Sequence, residues 1–392
     1  MNTAVGDHYC EGAARLQLGA GFFRPESRPS RDLGVLLLAE RAQACPQAPL
    51  AVLDAMAGCG IRALRYGLEV LEVHGAPSTL WANDADPDRL ALLQANLAPL
   101  QSAPMCTAQT AQQLLAGCLQ RRQRFDLLDL DAFGCPSALL PLALEAVRLD
   151  GVLYVASTDG RSPTGHDRRG ALRQLGAAAR AHPASWELAL RLQIGVIARS
   201  AWALGRGIEP LLSFSEGRTF RTAVRLRRHA TADELGWLGL LAHCHGCGDQ
   251  QVQSLLNLRQ WHPCCCQLPP QQQVPLAISG PLWIGPLQHP PTLVRLQGLA
   301  QPTCIAPQSL RLLQRLCSDD GAQPRCWPTS AIARQLGGGP PPLQALVAAL
   351  RQQGHGAQAS GVMAGFVRSD APWGEILQLA ARLRGSEGRA AK

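Results

Sequence analysis

The fold class follows from one stretch of the sequence, Asp54-Ala55-Met56-Ala57-Gly58-Cys59-Gly60-Ile61-Arg62. A short apolar run at residues 51–53 predicts a buried strand before it, and an apolar pattern of helical period at 61–73 predicts a helix after it. Glycines at such a turn let the backbone approach a ligand closely, and the free N–H groups of the helix start attract an anionic group. We therefore predict that Gly58 and Gly60 line a binding site for a small molecule.

An acidic residue, Asp84, follows the next predicted strand at residues 79–82. A carboxylate in this place within a strand–helix–strand unit can accept hydrogen bonds from both hydroxyls of a ribose. Gly58, Gly60 and Ala63 also satisfy the loosest dinucleotide-binding pattern. These two elements therefore leave open a nicotinamide-dependent enzyme, an enzyme with another nucleoside cofactor, and a tight turn that binds nothing.

Within a predicted first domain over residues 1–226, which includes an N-terminal arm, strands and helices alternate from residue 49 onward, with strands predicted at 125–129 and 152–157 and a helix between them at 137–148. This alternation predicts an α/β domain of Rossmann-like architecture, in which a parallel sheet has helices on both faces. From residue 227 the sequence becomes rich in Cys, His, Gln and Pro, and its last part carries two or three helical segments separated by Gly-Pro breaks. We predict a second, smaller α+β domain over residues 227–392.

The segment Asp129-Leu130-Asp131-Ala132-Phe133-Gly134 ends a later predicted strand. A carboxylate such as that of Asp131 can accept the N–H bond of an exocyclic amine and stabilise the positive charge that develops as the nitrogen is alkylated. An aromatic ring such as that of Phe133 can stack on a base and orient it. The combination favours methyl transfer to an amine. The alternative is that Asp129 and Asp131 only cap the following turn.

Taken together, these segments resemble the tRNA (guanine-26-N2)-dimethyltransferase family of S-adenosylmethionine-dependent methyltransferases. Further blocks that fit this family, in the same order, lie at residues 21–25, 30–33, 157–159, 205–215, 280–285 and 369–372. The resemblance implies that the chain transfers two methyl groups, one after the other, to N2 of guanine 26. It also implies S-adenosylmethionine as the methyl donor and tRNA as the partner.

The resemblance assigns a donor site to residues of this chain. It implies that Arg31, Arg62 and Asp84 contact S-adenosylmethionine, and that the glycine turn lies against the same molecule. Ala111, which follows Thr110, stands where the family usually has an Asp-Ala pair near the adenine, so the acid of that pair is missing here.

For the target base, the resemblance implies that Asp131 holds the guanine amine and that Phe22 and Phe133 sandwich the ring. The chain departs from the family at Ala132, where a proline with its fixed φ is usual. Two alternative functions stay open, and this departure favours only the first of them. One is a catalytically silent tRNA-binding or folding factor, and the other is an amine methyltransferase that acts on DNA or on a protein amide.

Cysteines cluster between residues 244 and 266. Two pairs of metal-ligating residues, each with two residues inside the pair, lie about fifteen residues apart, which is typical of a zinc ribbon. We predict a structural zinc site at about 240–270, and its predicted ligands are Cys244, Cys247, His262 and Cys265. Cys264 or Cys266 could replace a member of the second pair, and a metal-free knuckle held by packing also fits the spacing.

Charge and composition bear on the partner. The chain has 37 Lys and Arg residues against 29 Asp and Glu residues, and its net charge is +8. Arginine binds phosphate in a forked geometry, so this balance is compatible with a nucleic-acid partner. The helical spacing after residue 343 suggests a module of winged-helix type, which the resemblance implies to be tRNA-binding. Arg334, Arg351 and Arg368 are the candidate contacts.

Targeting signals are not visible in the sequence. No run approaches the roughly 18 to 20 apolar residues of a membrane helix, and the N-terminus lacks the basic and apolar stretches of a signal peptide. Nothing in the sequence indicates an obligatory protein partner. We therefore predict a cytoplasmic protein that does not contact a membrane.

Overall fold

The computed structural model of the protein describes residues 8–264, 266, 275–301 and 304–390, with side chains through residue 384. No helix in these ranges is both long enough and apolar enough to cross a membrane. The described chain begins with a short hairpin, β1 (Tyr9–Glu11) and β2 (Ala14–Leu16), which precedes the long helix α1 (Arg28–Ala44). This N-terminal arm carries two of the predicted site residues, Phe22 and Arg31.

A mixed sheet of seven strands occupies the centre of the described structure, in the order β5-β4-β3-β6-β7-β9-β8. Its strands are β3 (Ala51–Asp54), β4 (Thr79–Asp84), β5 (Met105–Ala108), β6 (Phe125–Asp131), β7 (Val147–Ser157), β8 (Gly207–Glu216) and β9 (Thr219–Arg227). The first five are parallel to one another, and β9 is antiparallel to both β7 and β8. The predicted Rossmann-like α/β fold is confirmed.

Helices cover both faces of this sheet. They are α2 (Ile61–Tyr66), α3 (Leu90–Leu97), α4 (Ala111–Gln120), α5 (Leu140–Ala146), α6 (Arg168–Leu175) and α7 (Ser185–Ala203). One apolar cluster joins α4, α5, α6 and α7 to one face, and a second joins α1, α2 and α3 to the other. The strand order reverses at β3, whose neighbours are β4 and β6. Ligands of such sheets bind at this switch point, beyond the carboxyl ends of the strands.

The rest of the chain adds two small antiparallel sheets with the strand orders β11-β10-β12 and β13-β15-β14. Its elements are α8 (Ala232–Gly236), β10 (Leu238–His243), β11 (Gln250–Ser254), β12 (Ala277–Trp283), α9 (Pro290–Leu299), α10 (Pro307–Cys317), β13 (Cys326–Pro328), α11 (Thr329–Leu336), α12 (Leu343–Gln352), β14 (Ala357–Ala359), β15 (Phe366–Ser369) and α13 (Trp373–Ala390). The helices and strands from β13 onward enclose an apolar cluster of their own.

The middle of the chain shares its core with the large sheet. Leu282 and Trp283 of β12 belong to the cluster that covers one face, and Leu312 and Leu316 of α10 belong to the cluster on the other face. Helices α9 and α10 both pack against α1. Because apolar burial continues across residue 226, the predicted boundary there stays a prediction, and only the part from β13 onward has a separate apolar cluster.

Candidate active site

The glycine turn between β3 and α2 has the backbone that the sequence predicts. Gly58 and Gly60 have φ values of 56° and 84°, a left-handed conformation that favours glycine. A Cβ at Gly60 would lie 2.7 Å from the Leu93 side chain, whereas one at Gly58 would meet no described atom within 4 Å. The backbone N–H of Gly58 donates to Asp84 Oδ2 over 2.8 Å. The turn and the acid therefore face the same open space at the carboxyl edge of the sheet.

Asn83 holds the loops of this edge together, and the sequence analysis did not single it out. Its buried amide nitrogen donates to the carbonyl oxygens of Ala55 and Gln109, at 3.1 and 2.9 Å. Its Oδ1 accepts from Thr107 Oγ1 at 2.8 Å. One side chain thus connects the segments that follow β3 and β5, and it fixes the direction in which Asp84 leaves β4.

Ala111 lies at the same edge, as the first residue of α4, and it is buried. Thr110 caps this helix through its hydroxyl, which accepts from the backbone N–H of Gln113. Thr110 thus stands in place of the usual acid, and its hydroxyl is engaged in capping the helix. The contacts of Ala111 and Asp84 with a donor molecule stay predictions.

Two buried arginines hold Asp131 at the end of β6. Its Oδ2 lies 3.2 Å from Arg62 and 2.6 Å from Arg221, and its side chain is 33 % exposed. Burial would raise the pKa of the Asp131 carboxyl, but the two guanidinium groups lower it to about 2. The acid is therefore ionised at neutral pH and open to the surface on one side. Arg221 is a site residue that the sequence analysis missed.

Arg62 contacts the start of α1 and the acids of β6. Its guanidinium donates to Ser30 Oγ at 2.8 Å and pairs with Asp129 at 3.3 Å, and it is almost fully buried. Asp129 also accepts the hydroxyl of Tyr66 at 2.6 Å. In this structure Arg62 therefore contacts the acids of β6, and its predicted contact with the donor stays a prediction. The alternative that Asp129 only caps a turn is wrong, because its carboxylate pairs with Arg62.

Asp54 is a third acid at the switch point. It lies opposite Asp129 in the β3–β6 register, and it is fully buried. Burial and the neighbouring Asp129 carboxylate raise the pKa of Asp54 well above its usual range. Neither oxygen of Asp54 has a hydrogen-bond partner among the described residues. A neutral Asp54 adds no negative charge beside Asp131, whose carboxylate pairs with Arg62 and Arg221.

Arg31 is bound to the N-terminal hairpin. Its guanidinium donates to both carboxylate oxygens of Glu11, at 2.7 and 2.6 Å, and to the carbonyl oxygen of Arg24 at 3.1 Å. It also lies over the ring of Phe23, 5.0 Å from the ring centroid. These contacts fasten the N-terminal arm beside the site. Contact of Arg31 with the donor stays a prediction.

Phe22 and Phe133 are both strongly exposed, at 72 % and 75 %, and they contact each other. Their ring centroids are 5.5 Å apart, and their planes are inclined at 72°. A base cannot lie flat against two rings that are inclined in this way, because stacking on both faces requires parallel planes. The predicted sandwich is therefore not formed in this structure, and an entering base has to displace the edge-to-face contact.

The sequence profile of the family described as "N2,N2-dimethylguanosine tRNA methyltransferase" matches residues 16–381. The chain belongs to this family. It is 28 % identical over 385 residues to the tRNA (guanine(26)-N(2))-dimethyltransferase of Thermococcus kodakarensis, with 94 % of each chain covered. It is 31 % identical over 271 residues to the enzyme of that name from Pyrobaculum neutrophilum, which covers 69 % of this chain and 68 % of the relative.

A solved structure of the family has the same fold. It is the complex of Trm1 from Pyrococcus horikoshii with S-adenosyl-L-methionine, which is 26 % identical. The similarity covers 95 % of this chain and 99 % of that one, with a TM-score of 0.80. The predicted membership of the tRNA (guanine-26-N2)-dimethyltransferase family is confirmed.

The cysteine-rich segment of this family member forms a compact cluster of four thiols, in which all sulfur atoms lie within 4.8 Å of one another. Its members are Cys244, Cys247, Cys264 and Cys266. The sulfur of Cys244 lies 3.5 Å from that of Cys264 and 3.4 Å from that of Cys266. Tetrahedral zinc with Zn–S bonds of 2.3 Å separates its sulfur ligands by about 3.8 Å, so the four thiols fit this ion.

The predicted second ligand pair differs from the one in the structure. His262 is exposed, lies outside the thiol cluster, and is held through its backbone by the Gln251 side chain. Cys265 lies outside the described residues. Cys264 and Cys266, which the sequence analysis left as alternatives, provide the sulfur atoms instead.

The thiol cluster supports the C-terminal helices. Trp373 of α13 donates through its indole nitrogen to the Cys247 carbonyl oxygen at 2.7 Å, and Trp327 donates to the Gly248 carbonyl oxygen at 2.8 Å.

We expect metal analysis of the purified chain to give about one zinc ion per chain. The Cys244→Ser variant should bind less zinc and have a lower melting temperature than the parent chain, because the metal would hold the two cysteine-containing segments together.

The matched control for Cys244→Ser is Cys45→Ser, which removes a half-buried thiol at the end of α1. This variant should retain zinc and melt close to the parent chain. Full zinc retention by Cys244→Ser would contradict the assignment of the four ligands.

Proposed function

We propose that this chain transfers methyl groups from S-adenosyl-L-methionine to the exocyclic N2 of a guanine in tRNA, at position 26, and forms N2-methylguanosine and then N2,N2-dimethylguanosine. The proposal makes it an enzyme, as its family membership implies. The observation that carries the proposal is the geometry of Asp131. This acid pairs with two buried arginines and is partly open to the surface, and Phe133, two residues further along the chain, contacts the exposed ring of Phe22.

The chemistry assigned to Asp131 is that of a hydrogen-bond acceptor. Arg62 and Arg221 lie 3.2 and 2.6 Å from its Oδ2, and the exposed side of the carboxylate can accept the N–H of the guanine amine. As the bond from N2 to the methyl carbon forms and the bond from sulfur to that carbon breaks, positive charge develops on N2 and the fixed carboxylate stabilises it. With its low pKa, Asp131 is a weak base, so the N2 proton passes on to water.

The donor side of the proposal rests on the carboxyl edge around β3. The open space over Gly58 and the neighbouring carboxylate of Asp84 fit a nucleoside with two ribose hydroxyls. The solved relative with S-adenosyl-L-methionine supports this molecule as the donor. Phe22 and Phe133 are the proposed stacking groups for the guanine, after their mutual contact has opened.

Two features of the chain bear on the alternatives. A catalytically silent tRNA-binding factor has no need of an ionised acid at this edge, and the Asp131 pairs with Arg62 and Arg221 therefore favour the enzyme. The relatives are named for tRNA, which favours tRNA over DNA or a protein amide. A tRNA substrate fits the predicted cytoplasmic location, which stays part of the proposal, as does activity without a protein partner.

The test is incubation of the purified chain with labelled S-adenosyl-L-methionine and unmodified tRNA transcripts, followed by digestion and identification of the labelled nucleoside. We expect N2-methylguanosine at early times and N2,N2-dimethylguanosine later, because the first product still carries one N–H for Asp131 to bind. A transcript with adenine at position 26 is the control and should receive no label. Tight tRNA binding without label would favour the silent factor, and label in DNA or protein would contradict the tRNA assignment.

A further inference from the structure

A pocket of about 690 Å³ lies at the carboxyl edge of the sheet, between the start of α1, the β8–β9 hairpin and helix α10. Its lining includes Pro29, Glu216, Arg311 and Arg315. The volume is within the range of small-molecule sites in proteins. The β8–β9 hairpin continues beyond Ser157, the last residue of β7, so the pocket and Asp131 lie at the same edge of the sheet.

Three polar contacts in series connect this pocket to the catalytic acid. Glu216 Oε1 accepts the backbone N–H of Ser30 at 3.0 Å, Ser30 Oγ accepts from Arg62 at 2.8 Å, and Arg62 pairs with Asp131 at 3.2 Å. A ligand in the pocket therefore lies only a few side chains from the proposed position of the target guanine. The pocket is a neighbouring space and not part of the donor site around Gly58.

Helix α10 presents a basic face to this pocket. Its buried side is apolar and packs on α1, whereas Arg311 and Arg315 are exposed, one turn apart. Among the described residues, neither guanidinium has a hydrogen-bond or ion-pair partner. Two like charges at this spacing on a helix repel each other. An anionic ligand that contacts both arginines removes this repulsion.

The acids near these arginines leave them free for a ligand. Glu26 lines the pocket at an exposed position, and Glu216 is bound to the Ser30 backbone. Burial raises the pKa of the Glu216 carboxyl, which weakens its competition with an anion.

The position of α10 is fixed by Asp32 of α1, whose Oδ2 accepts from the Ala306 N–H and the Ser309 hydroxyl at 2.9 and 2.6 Å. A basic face held in this way is preorganised for a ligand.

We propose that the basic face of α10, formed by Arg311 and Arg315, binds backbone phosphates of the tRNA strand next to the target guanine. This inference rests on the proposed function, because it takes the substrate to be RNA. Arginine holds phosphate oxygens through two N–H groups at once, and such contacts position a strand without reading its sequence. They place the neighbouring nucleotides while the guanine is flipped out of its stack toward Asp131.

The test compares two double variants with the same change in net charge. Arg311→Gln with Arg315→Gln removes the basic face, and Arg121→Gln with Arg122→Gln removes two exposed arginines at the end of α4. The second pair precedes the amino end of β6, at the opposite edge of the sheet. Both variants are measured for tRNA affinity at several salt concentrations and for the kinetics of methyl transfer.

We expect the α10 variant to bind tRNA about tenfold or more weakly than the parent chain. The magnitude of the slope of log affinity against log salt concentration should fall by about 1.4 to 1.8, which corresponds to the loss of two phosphate contacts. Its KM for tRNA should rise while kcat stays close to the parent value, because the contact is made in both ground and transition states. The α4 variant should change much less in each measurement.

An α10 variant with the affinity and salt slope of the parent chain would overturn the inference. An equal loss in both variants would also overturn it, because the effect would then be a general one of net charge. Binding is measured without methyl transfer, so a parent chain that binds tRNA but transfers no methyl group would contradict the proposed function alone. A parent chain that binds no tRNA would overturn both.

Discussion

Asp131→Asn is expected to lower kcat for methyl transfer by about two to three orders of magnitude. Asparagine has nearly the size of aspartate and still offers an oxygen to the guanine amine, but it lacks the negative charge that the developing cation requires. The fold should survive, because Arg62 and Arg221 keep their pairs with Asp129 at 3.3 and 3.5 Å. Rates with saturating donor and tRNA transcript measure the effect.

Binding measurements separate this effect from damage to the site. Asp131→Asn should retain its affinity for S-adenosyl-L-methionine and for tRNA, since neither the glycine turn nor α10 contacts residue 131. Asp233→Asn, in the exposed first turn of α8, is the matched control and should keep full activity. If Asp131→Asn kept a tenth or more of the parent kcat, the fixed charge would have no central part in the reaction.

The low pKa of Asp131 also predicts the pH dependence of the parent chain. The pKa of Asp131 is lowered from 3.8 to about 2, so the carboxylate is ionised throughout the pH range of an activity assay. The stabilisation by its ion pairs is complete above about pH 4 and is lost only as pH falls through about 2. A plot of kcat between about pH 5 and 8 should therefore show no acidic limb from this residue.

Local patterns were sufficient to predict the frame of the site. The glycine turn, Asp84 and Asp131 were found because each follows a strand, and carboxyl ends of parallel strands share one edge. Arg221 was not found, since it comes from a late antiparallel strand whose place between β7 and β8 no local pattern reveals. In the sheet, Arg221 pairs with Ala156 on one side of β7, and Asp131 pairs with the same residue on the other.

Side-chain partners were the part that the sequence could not specify. Arg62 follows the glycine turn in a position suited to a donor contact, and no local pattern predicts its ion pairs with the two acids of β6. The thiol cluster poses a similar problem, because three consecutive cysteines satisfy the ligand spacing almost equally well. Alternation in β9 misleads at Arg221, which has the same parity as the half-buried Arg225 and Arg227 and yet is buried.

Arg368 is the clearest case of a residue whose surroundings decide its role. As a basic residue of the C-terminal module, it was a candidate for tRNA contact, but it is fully buried. Its guanidinium donates to Glu187 Oε2 at 2.8 Å and to both oxygens of Asp319, at 2.9 and 3.0 Å. The contact with Glu187 connects β15 to α7, which lies against the large sheet. The prediction that Arg368 contacts tRNA is therefore wrong.

We expect Arg368→Met to lower the free energy of unfolding by about 3–5 kcal/mol, because removal of one partner leaves two carboxylates buried with less compensation. Methionine fills most of the space, so the loss reports the charge and not a cavity. Arg191 still pairs with Glu187 at 2.8 Å, which keeps the variant foldable. Arg334→Met, at an exposed position on α11, is the matched control and should be nearly neutral.

The pH dependence of this loss distinguishes a charge effect from a packing effect. Arg368 and Arg191 lower the pKa of Glu187 from 4.5 to about 2 against the opposing effect of burial. The stabilisation from this shift is complete above about pH 4.5 and is lost as pH falls through about 2. Denaturant titrations of the parent chain and Arg368→Met should therefore differ most near neutral pH and converge in acid, where protonation removes the uncompensated charge. A difference that stays constant with pH would instead mean that Arg368 stabilises the fold through packing alone.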